Sequence, residues 1–181
     1  DYVGSPLIFT VDRIETNNGC EIPSSIVALG SNAVFYLSPN GFCLFDGNRS
    51  TQIGAEKVDR FFYDNLSPAH HHRTTAAVDP NNQTVMWSFV SNDSTDGEPD
   101  KIMVYNYAIG RWSLLELAHE SLGTILIPGY TLEQLDNINT SLDAMTTSLD
   151  SALYEGDSFT LGGSKDKKIH AFTGDTLAAT I

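Results

Sequence analysis

The stretch from Lys101 to Ser113 (Lys-Ile-Met-Val-Tyr-Asn-Tyr-Ala-Ile-Gly-Arg-Trp-Ser) constrains the fold more than any other in the chain. Ile102 and Val104 alternate into Tyr105, the pattern of a half-buried strand. Asn106 to Gly110 reads as a tight turn, with Gly110 free to take a positive φ. Arg111-Trp112-Ser113 resumes an extended run. The unit is strand, turn, strand, with Tyr105 and Trp112 as aromatic anchors at its two ends.

The rest of the chain repeats this vocabulary. Leu7-Ile8-Phe9-Thr10-Val11 suits a strand, and Ile22 to Leu29 a second, with Pro23 near its start. Ala33 to Leu37, Phe42 to Phe45 and Gln52-Ile53 follow, separated by Gly30-Ser31-Asn32, Ser38-Pro39-Asn40-Gly41 and Asp46-Gly47. Short strands split by Gly and Asn turns make an antiparallel meander. Val58, Phe61, Phe62 and Leu66 lie at near-helical spacing behind Glu56 and Asp59, which predicts a short helix over 56–66. His70 to Arg73 reads as a loop. A second meander begins at Thr74 to Val78, turns at Asp79-Pro80-Asn81-Asn82, and continues as Thr84 to Phe89 with Val85, Trp87 and Phe89 on one face. A polar loop, Ser91 to Asp100, leads into the hairpin, and Gly123 to Tyr130 reads as a strand with a terminal turn.

A weak repeat runs through these elements: an apolar strand, an aromatic residue, then a polar residue at a turn. Phe45-Asp46, Tyr105-Asn106 and Phe172-Thr173 mark its three copies, 60 and 67 residues apart. The hairpin resembles the outer hairpin of a β-propeller blade. Its Tyr and Trp, seven residues apart across a polar turn, are similar to the kelch pattern, but kelch's double glycine is missing. The spacing exceeds the roughly 40–50 residues of common propeller repeats, so insertions are implied. Between the last two copies, Leu135-Asp136, Leu142-Asp143 and Leu149-Asp150 recur every seven residues. That spacing favours an amphipathic helix, whereas the surrounding Asn, Ser and Thr favour an irregular linker; both readings stand.

The formal net charge is −13, and Ser113 to Ser164 holds eight acids with no Lys or Arg. Such a stretch argues against direct phosphate binding, which needs clustered cations. It serves solubility, or forms an acidic wall along which DNA slides. Glu116, Glu120, Glu133, Asp136, Asp143 and Asp150 are the acids assigned to such a channel or interface. No apolar run approaches the roughly 20 residues of a membrane-spanning helix, and no signal peptide is visible at Asp1-Tyr2-Val3-Gly4. Cys43, within Phe42-Cys43-Leu44-Phe45, reads as a small buried side chain rather than half of a disulfide with Cys20. The start at Asp1 and the end at Thr180-Ile181 in what reads as mid-strand point to a piece of a longer polypeptide.

No chemistry-bearing motif stands out. There is no Gly-x-Ser-x-Gly, P-loop or dinucleotide fingerprint. Adjacent His70, His71 and His72 rarely converge on one metal. Asp93, Asp96, Glu98 and Asp100 do not follow the order of a calcium loop. The expectation is a protein without catalytic residues, cofactor or metal, in which Phe45, Trp87, Tyr105, Trp112 and Phe172 are structural anchors.

Taken as a series, Ile22–Gly54, Glu56–Phe62, Ala77–Pro80, Val85–Ser88 and the Val104–Ser113 hairpin resemble tail proteins of short-tailed bacteriophages and prophages. The family is the tail hub or nozzle class, related to packaged-DNA stabilisation proteins. The resemblance implies a β-propeller-bearing subunit that forms a homo-oligomeric ring, usually sixfold, below the portal and adaptor. It implies transient, non-specific contact with genomic DNA, assembly in the host cytoplasm and a final place in the virion tail. A receptor- or glycan-binding propeller at the virion surface is the rival reading. The expected fold is all-β: a first meander over 1–54, a helix and loop over 55–73, a second meander over 74–130, a linker or amphipathic segment over 131–160, and the start of a further β unit over 161–181, together forming part of a propeller.

Overall fold

Among the described residues, twelve short strands fall into three antiparallel sheets of four, and within each sheet the strands follow chain order. The structure, a computed structural model, describes residues 13, 16–31, 33–55, 58–138, 154, 156–163, 169–171 and 179–180. Sheet 1 comprises β1 (Val27–Leu29), β2 (Ala33–Ser38), β3 (Gly41–Phe45) and β4 (Ser50–Gln52). Sheet 2 comprises β5 (Thr75–Asp79), β6 (Thr84–Phe89), β7 (Lys101–Asn106) and β8 (Arg111–Glu116). Sheet 3 comprises β9 (Ser121–Pro128), β10 (Gly156–Gly163), β11 (Ile169–Ala171) and β12 (Ala179–Thr180). The first strands of the three sheets are neighbours: β5 lies against β1 on one side and β9 on the other.

The turns carry the repeat. Asp46, after β3, accepts hydrogen bonds through Oδ1 from the amides of Asn48 and Arg49, both at 2.9 Å. Asn106, at the end of β7, does the same for Ala108 and Ile109 at 3.0 and 3.1 Å. Both are turns in which a short side chain replaces a backbone acceptor. They occupy matching places, each closing the third strand of its sheet. β11, the third strand of sheet 3, ends at Ala171; Phe172 and Thr173 lie outside the described residues.

The middle strands of sheet 2, β6 and β7, are covered on both faces. Val85, Trp87, Phe89, Met103 and Tyr105 pack toward Phe35, Leu37 and Phe42 of sheet 1. Ala77 and Ile102 pack on the other side with Leu122 of β9. β7 is therefore not the half-buried strand that alternation alone suggests: Ile102 is 0% and Met103 2% exposed, on opposite faces. Its unbroken run Ile-Met-Val-Tyr is the signature of a strand covered on both sides.

Several elements differ from the expectation. Ile22 to Leu29 is not one strand: Pro23–Ser25 forms a 3-10 turn with Pro at its first position, and β1 starts at Val27. Ser25 sets this turn, its hydroxyl donating to Ile22 O at 2.7 Å and accepting from the Leu37 amide at 3.0 Å. The short helix expected over 56–66, by contrast, is present as α1 (Asp59–Asn65). His71–Arg73 is a 3-10 turn rather than an irregular loop. β9 pairs with β10 along its whole length, so it belongs to the third unit and not to the second meander. The segment after it begins as a helix, α2 (Leu132–Ile138). A reciprocal cap starts α2: the Thr131 amide donates to Gln134 Oε1 at 2.9 Å and the Gln134 amide to Thr131 Oγ1 at 3.3 Å. The remaining Leu-Asp repeats, at 142–143 and 149–150, and the proposed strand at 7–11 lie outside the described residues.

Candidate functional site

Three of the five anchors meet in one seam between sheets 1 and 2. Tyr105 and Trp112 are cross-strand partners on β7 and β8, with ring centroids 4.6 Å apart. Trp112 stacks on Trp87 at 5.7 Å, and Phe42 of sheet 1 lies 4.8 Å from both indoles. Phe62 of α1 extends the seam to Phe42 at 4.9 Å and Phe89 at 4.8 Å. Such contacts add about 0.5–1.5 kcal/mol each beyond area burial. Both indole N–H groups are used: Trp87 donates to Ser25 O and Trp112 to Ile53 O, each at 3.2 Å. Phe45 lies outside this seam. It sits on the opposite face of sheet 1, half-buried, with Val34 and Tyr36.

Among the described residues the assigned acids lie on separate elements. Glu116 ends β8, the outermost strand of sheet 2, and is exposed. Glu120, also exposed, immediately precedes β9. Glu133 is exposed in the first turn of α2. Hydrogen bonds from its own amide and from Thr131 hold its carboxyl below the usual range. Asp136 lies on the backbone of α2, and Asp143 and Asp150 are outside the described residues.

The acidic loop between β6 and β7 spends its carboxylates on its own shape. Asp100 accepts from the Ser91 amide at 2.7 Å and the Ser91 hydroxyl at 2.6 Å. Asp96 accepts from the Ser94 hydroxyl and the Glu98 amide. Asp93 pairs with Lys101 Nζ at 2.9 Å, which pushes that ammonium's pKa up. Among the described residues no three His, Cys, Asp or Glu side chains are grouped as metal ligands would be.

Two polar arrangements escaped the sequence reading. The first joins Ser88 and His119. Ser88 Oγ lies 2.6 Å from His119 Nε2, and His119 Nδ1 lies 2.7 Å from Leu117 O. With the Nδ1 proton on the carbonyl, Nε2 accepts from the hydroxyl, the geometry of a nucleophile and its base. The pair is sealed, however: Ser88 is 0% and His119 1% exposed, so no substrate reaches either atom. Burial pushes the imidazole's pKa down, partly opposed by the Leu117 carbonyl and by Asp100. Its work is to tie the β8–β9 connection to β6. A lone His in the basic-free acidic stretch was the only available signal.

The second is a nest for Asp59 at the start of α1. Its Oδ1 accepts from the Phe42 amide at 3.1 Å. Its carboxylate sits where side chains at Gly41 and Gly54 would go, since a Cβ there would fall 2.2 and 1.9 Å from its oxygens. Burial raises its pKa, against the lowering effect of the Phe42 amide. Beside it, the Tyr63 hydroxyl donates to Ser38 O, fixing α1 to the end of β2.

Among the described residues no helix is long and apolar enough to cross a membrane. The chain matches no protein-family model and no curated protein.

Proposed function

We propose that this chain is a non-catalytic structural subunit of a short-tailed bacteriophage tail, of the hub or nozzle class, and that its three sheets are successive blades of a β-propeller. One observation carries the reading: three consecutive four-stranded meanders, each in chain order, with β1, β5 and β9 side by side. Propeller blades repeat in this way, burying each face against the next blade and leaving only short edges. The matching turns at Asp46 and Asn106 support a repeated unit. The likeness of Ile22–Gly54 and Val104–Ser113 to tail proteins supplies the biological setting.

On this reading the subunit works mechanically. It assembles as a homo-oligomeric ring, six copies being the expected number, docks on the portal or adaptor and neighbouring tail proteins, and helps retain and then conduct the genome. Contact with DNA is brief and non-specific, as suits a chain of net charge −13.

Immunogold labelling of particles from the source phage or induced prophage tests the reading, using antibody raised to this chain. Label at the tail vertex is expected. Label on peripheral fibres would favour a receptor- or glycan-binding propeller, and absence of the protein from disrupted particles would overturn the tail assignment.

A further inference from the structure

Asn-Gly occurs twice in the chain, at Asn18-Gly19 and Asn40-Gly41. In such a pair the glycine amide nitrogen can reach the asparagine side-chain carbonyl, because no Cβ stands in the way. The fold treats the two pairs differently. Gly41 is buried in β3, in register with Ser38 of β2 across the hairpin, and the Asp59 carboxylate fills the space beside it. The Asn40 amide ahead of it is tied to Ser38 Oγ at 3.1 Å. Gly19 is exposed and belongs to no helix or strand. Among the described residues, its chain neighbours apart, no atom lies within 4 Å of the place its Cβ would take. The Gly19 amide has room to turn toward the Asn18 side chain, whereas that of Gly41 is held in the hairpin.

Asn18 adds a second feature. Its Oδ1 accepts a hydrogen bond from Asn40 Nδ2 at 3.2 Å. Attack on Asn18 Cγ develops negative charge on Oδ1, so this donor stands where it stabilises the tetrahedral intermediate. The main-chain carbonyl of the same residue accepts from the Tyr36 hydroxyl at 2.6 Å, which holds Asn18 against sheet 1. A fastened electrophile beside a nucleophile with space to approach favours an intramolecular reaction.

We propose that Asn18-Gly19 is a site of spontaneous self-modification, promoted by Asn40. The Gly19 nitrogen bonds to Asn18 Cγ and passes its proton through water to the departing Nδ2. The Cγ–Nδ2 bond breaks, ammonia leaves and a succinimide closes. Water then opens the ring at either carbonyl. Cleavage of the bond from nitrogen to Cγ gives an aspartyl residue, and cleavage at the α-carbonyl gives isoaspartate. Nothing is oxidised or reduced. Isoaspartate adds a methylene to the main chain and draws the carbonyl off the Tyr36 hydroxyl, which retains Ser50 Oγ at 2.7 Å. This chemistry is independent of the tail assignment.

Ageing the full chain at mildly alkaline pH, with peptide mapping by mass spectrometry, tests it. The mass gain of amide-to-acid exchange is expected at Asn18 and not at Asn40 in the folded protein, and at both in urea. An intact Asn18, or equal rates at the two sites in the folded protein, would overturn the proposal. Gly19→Ala, for which there is space, should block the reaction and leave the thermal midpoint unchanged. Continued reaction in that variant would count against attack by the Gly19 nitrogen. Asn40→Ala should slow the reaction at Asn18 by about 2- to 10-fold, the worth of one neutral hydrogen bond. An unchanged or faster rate would remove Asn40 from the mechanism. The isoaspartyl fraction, separated chromatographically, should unfold at a lower temperature than the aspartyl fraction. Equal midpoints would overturn the loss of the Tyr36 anchor.

Discussion

His119 shows what one buried residue contributes. Its neutral ring accepts from Ser88 and donates to Leu117 O, with Asp100 the nearby charge. Burial lowers its pKa in the folded protein below the unfolded value of about 6.5. Between those two values the unfolded chain binds more protons, so stability rises with pH there. This contribution is complete above about pH 6.5 and is lost as pH falls toward the folded pKa. Urea unfolding should therefore show stability declining as pH falls below about 6.5, and His119→Gln should flatten that decline, since Gln does not titrate. A variant with the slope of the original protein would assign the pH dependence to other groups. The exposed His71 and His72 gave the sequence its visible histidine cluster, yet the consequential histidine stands alone. Burial by distant strands made the difference, and a single residue type carries no mark of it.

At the scale of elements, α1 is fixed to sheet 1 by Asp59 wedged between Gly41 and Gly54. Gly41 has a φ of +132°, which other residues rarely adopt, whereas Gly54 is limited by space alone. Gly54→Ala should displace the carboxylate from the Phe42 amide and cost about 1–3 kcal/mol. Asp59→Ala removes the same hydrogen bond but makes room for the new methyl. The double variant should thus be less destabilised than the sum of the two, with a coupling of about 0.5–3 kcal/mol in denaturant unfolding. Additive losses would mean that Gly54 and Asp59 act separately. What the sequence disclosed at this scale follows burial pattern. β2, β3, β6 and β7 are apolar runs bounded by Gly, Asn or Asp, and they were legible. The 3-10 turn at Pro23–Ser25 was hidden because its reasons are tertiary, namely the Leu37 amide and the Trp87 indole meeting Ser25. β10 was hidden because Gly156 to Gly163 has few of the apolar residues that mark a strand; its pairing with β9 defines it. The cap at Thr131 and Gln134 was present as a Thr-x-x-Gln signal, masked by the competing heptad.

For the whole molecule, the position of each acid relative to the first strands decides what its charge can do. If β1, β5 and β9 line the axis of a propeller, then β8 lies at its rim, because it is the fourth strand of sheet 2. Glu116, at the end of β8, is then remote from the axis. Glu120 directly precedes β9, and Glu133 follows it by five residues, so these two flank opposite ends of an axial strand. That strand is about 26 Å long at the usual rise per residue. Repulsion of a DNA backbone is felt only within about 8–10 Å at physiological salt. On the tail reading DNA passes along the axis of the ring of subunits. A propeller turned with one end of its own axis toward that bore brings either Glu120 or Glu133 beside the backbone. Lys at one of the two should therefore slow genome ejection, because a cation there holds it, and Lys at the other should not. Glu116→Lys should leave ejection rates unchanged. All three positions are exposed, so stability should shift by no more than about 0.5 kcal/mol and assembly should proceed. Ejection followed by dye uptake from purified particles separates the cases. Slowing by Glu116→Lys alone would turn the rim of the propeller, rather than an end of its axis, toward the bore. Unchanged rates in all three would remove these acids from the path of the DNA and return the negative charge to its simpler role in solubility.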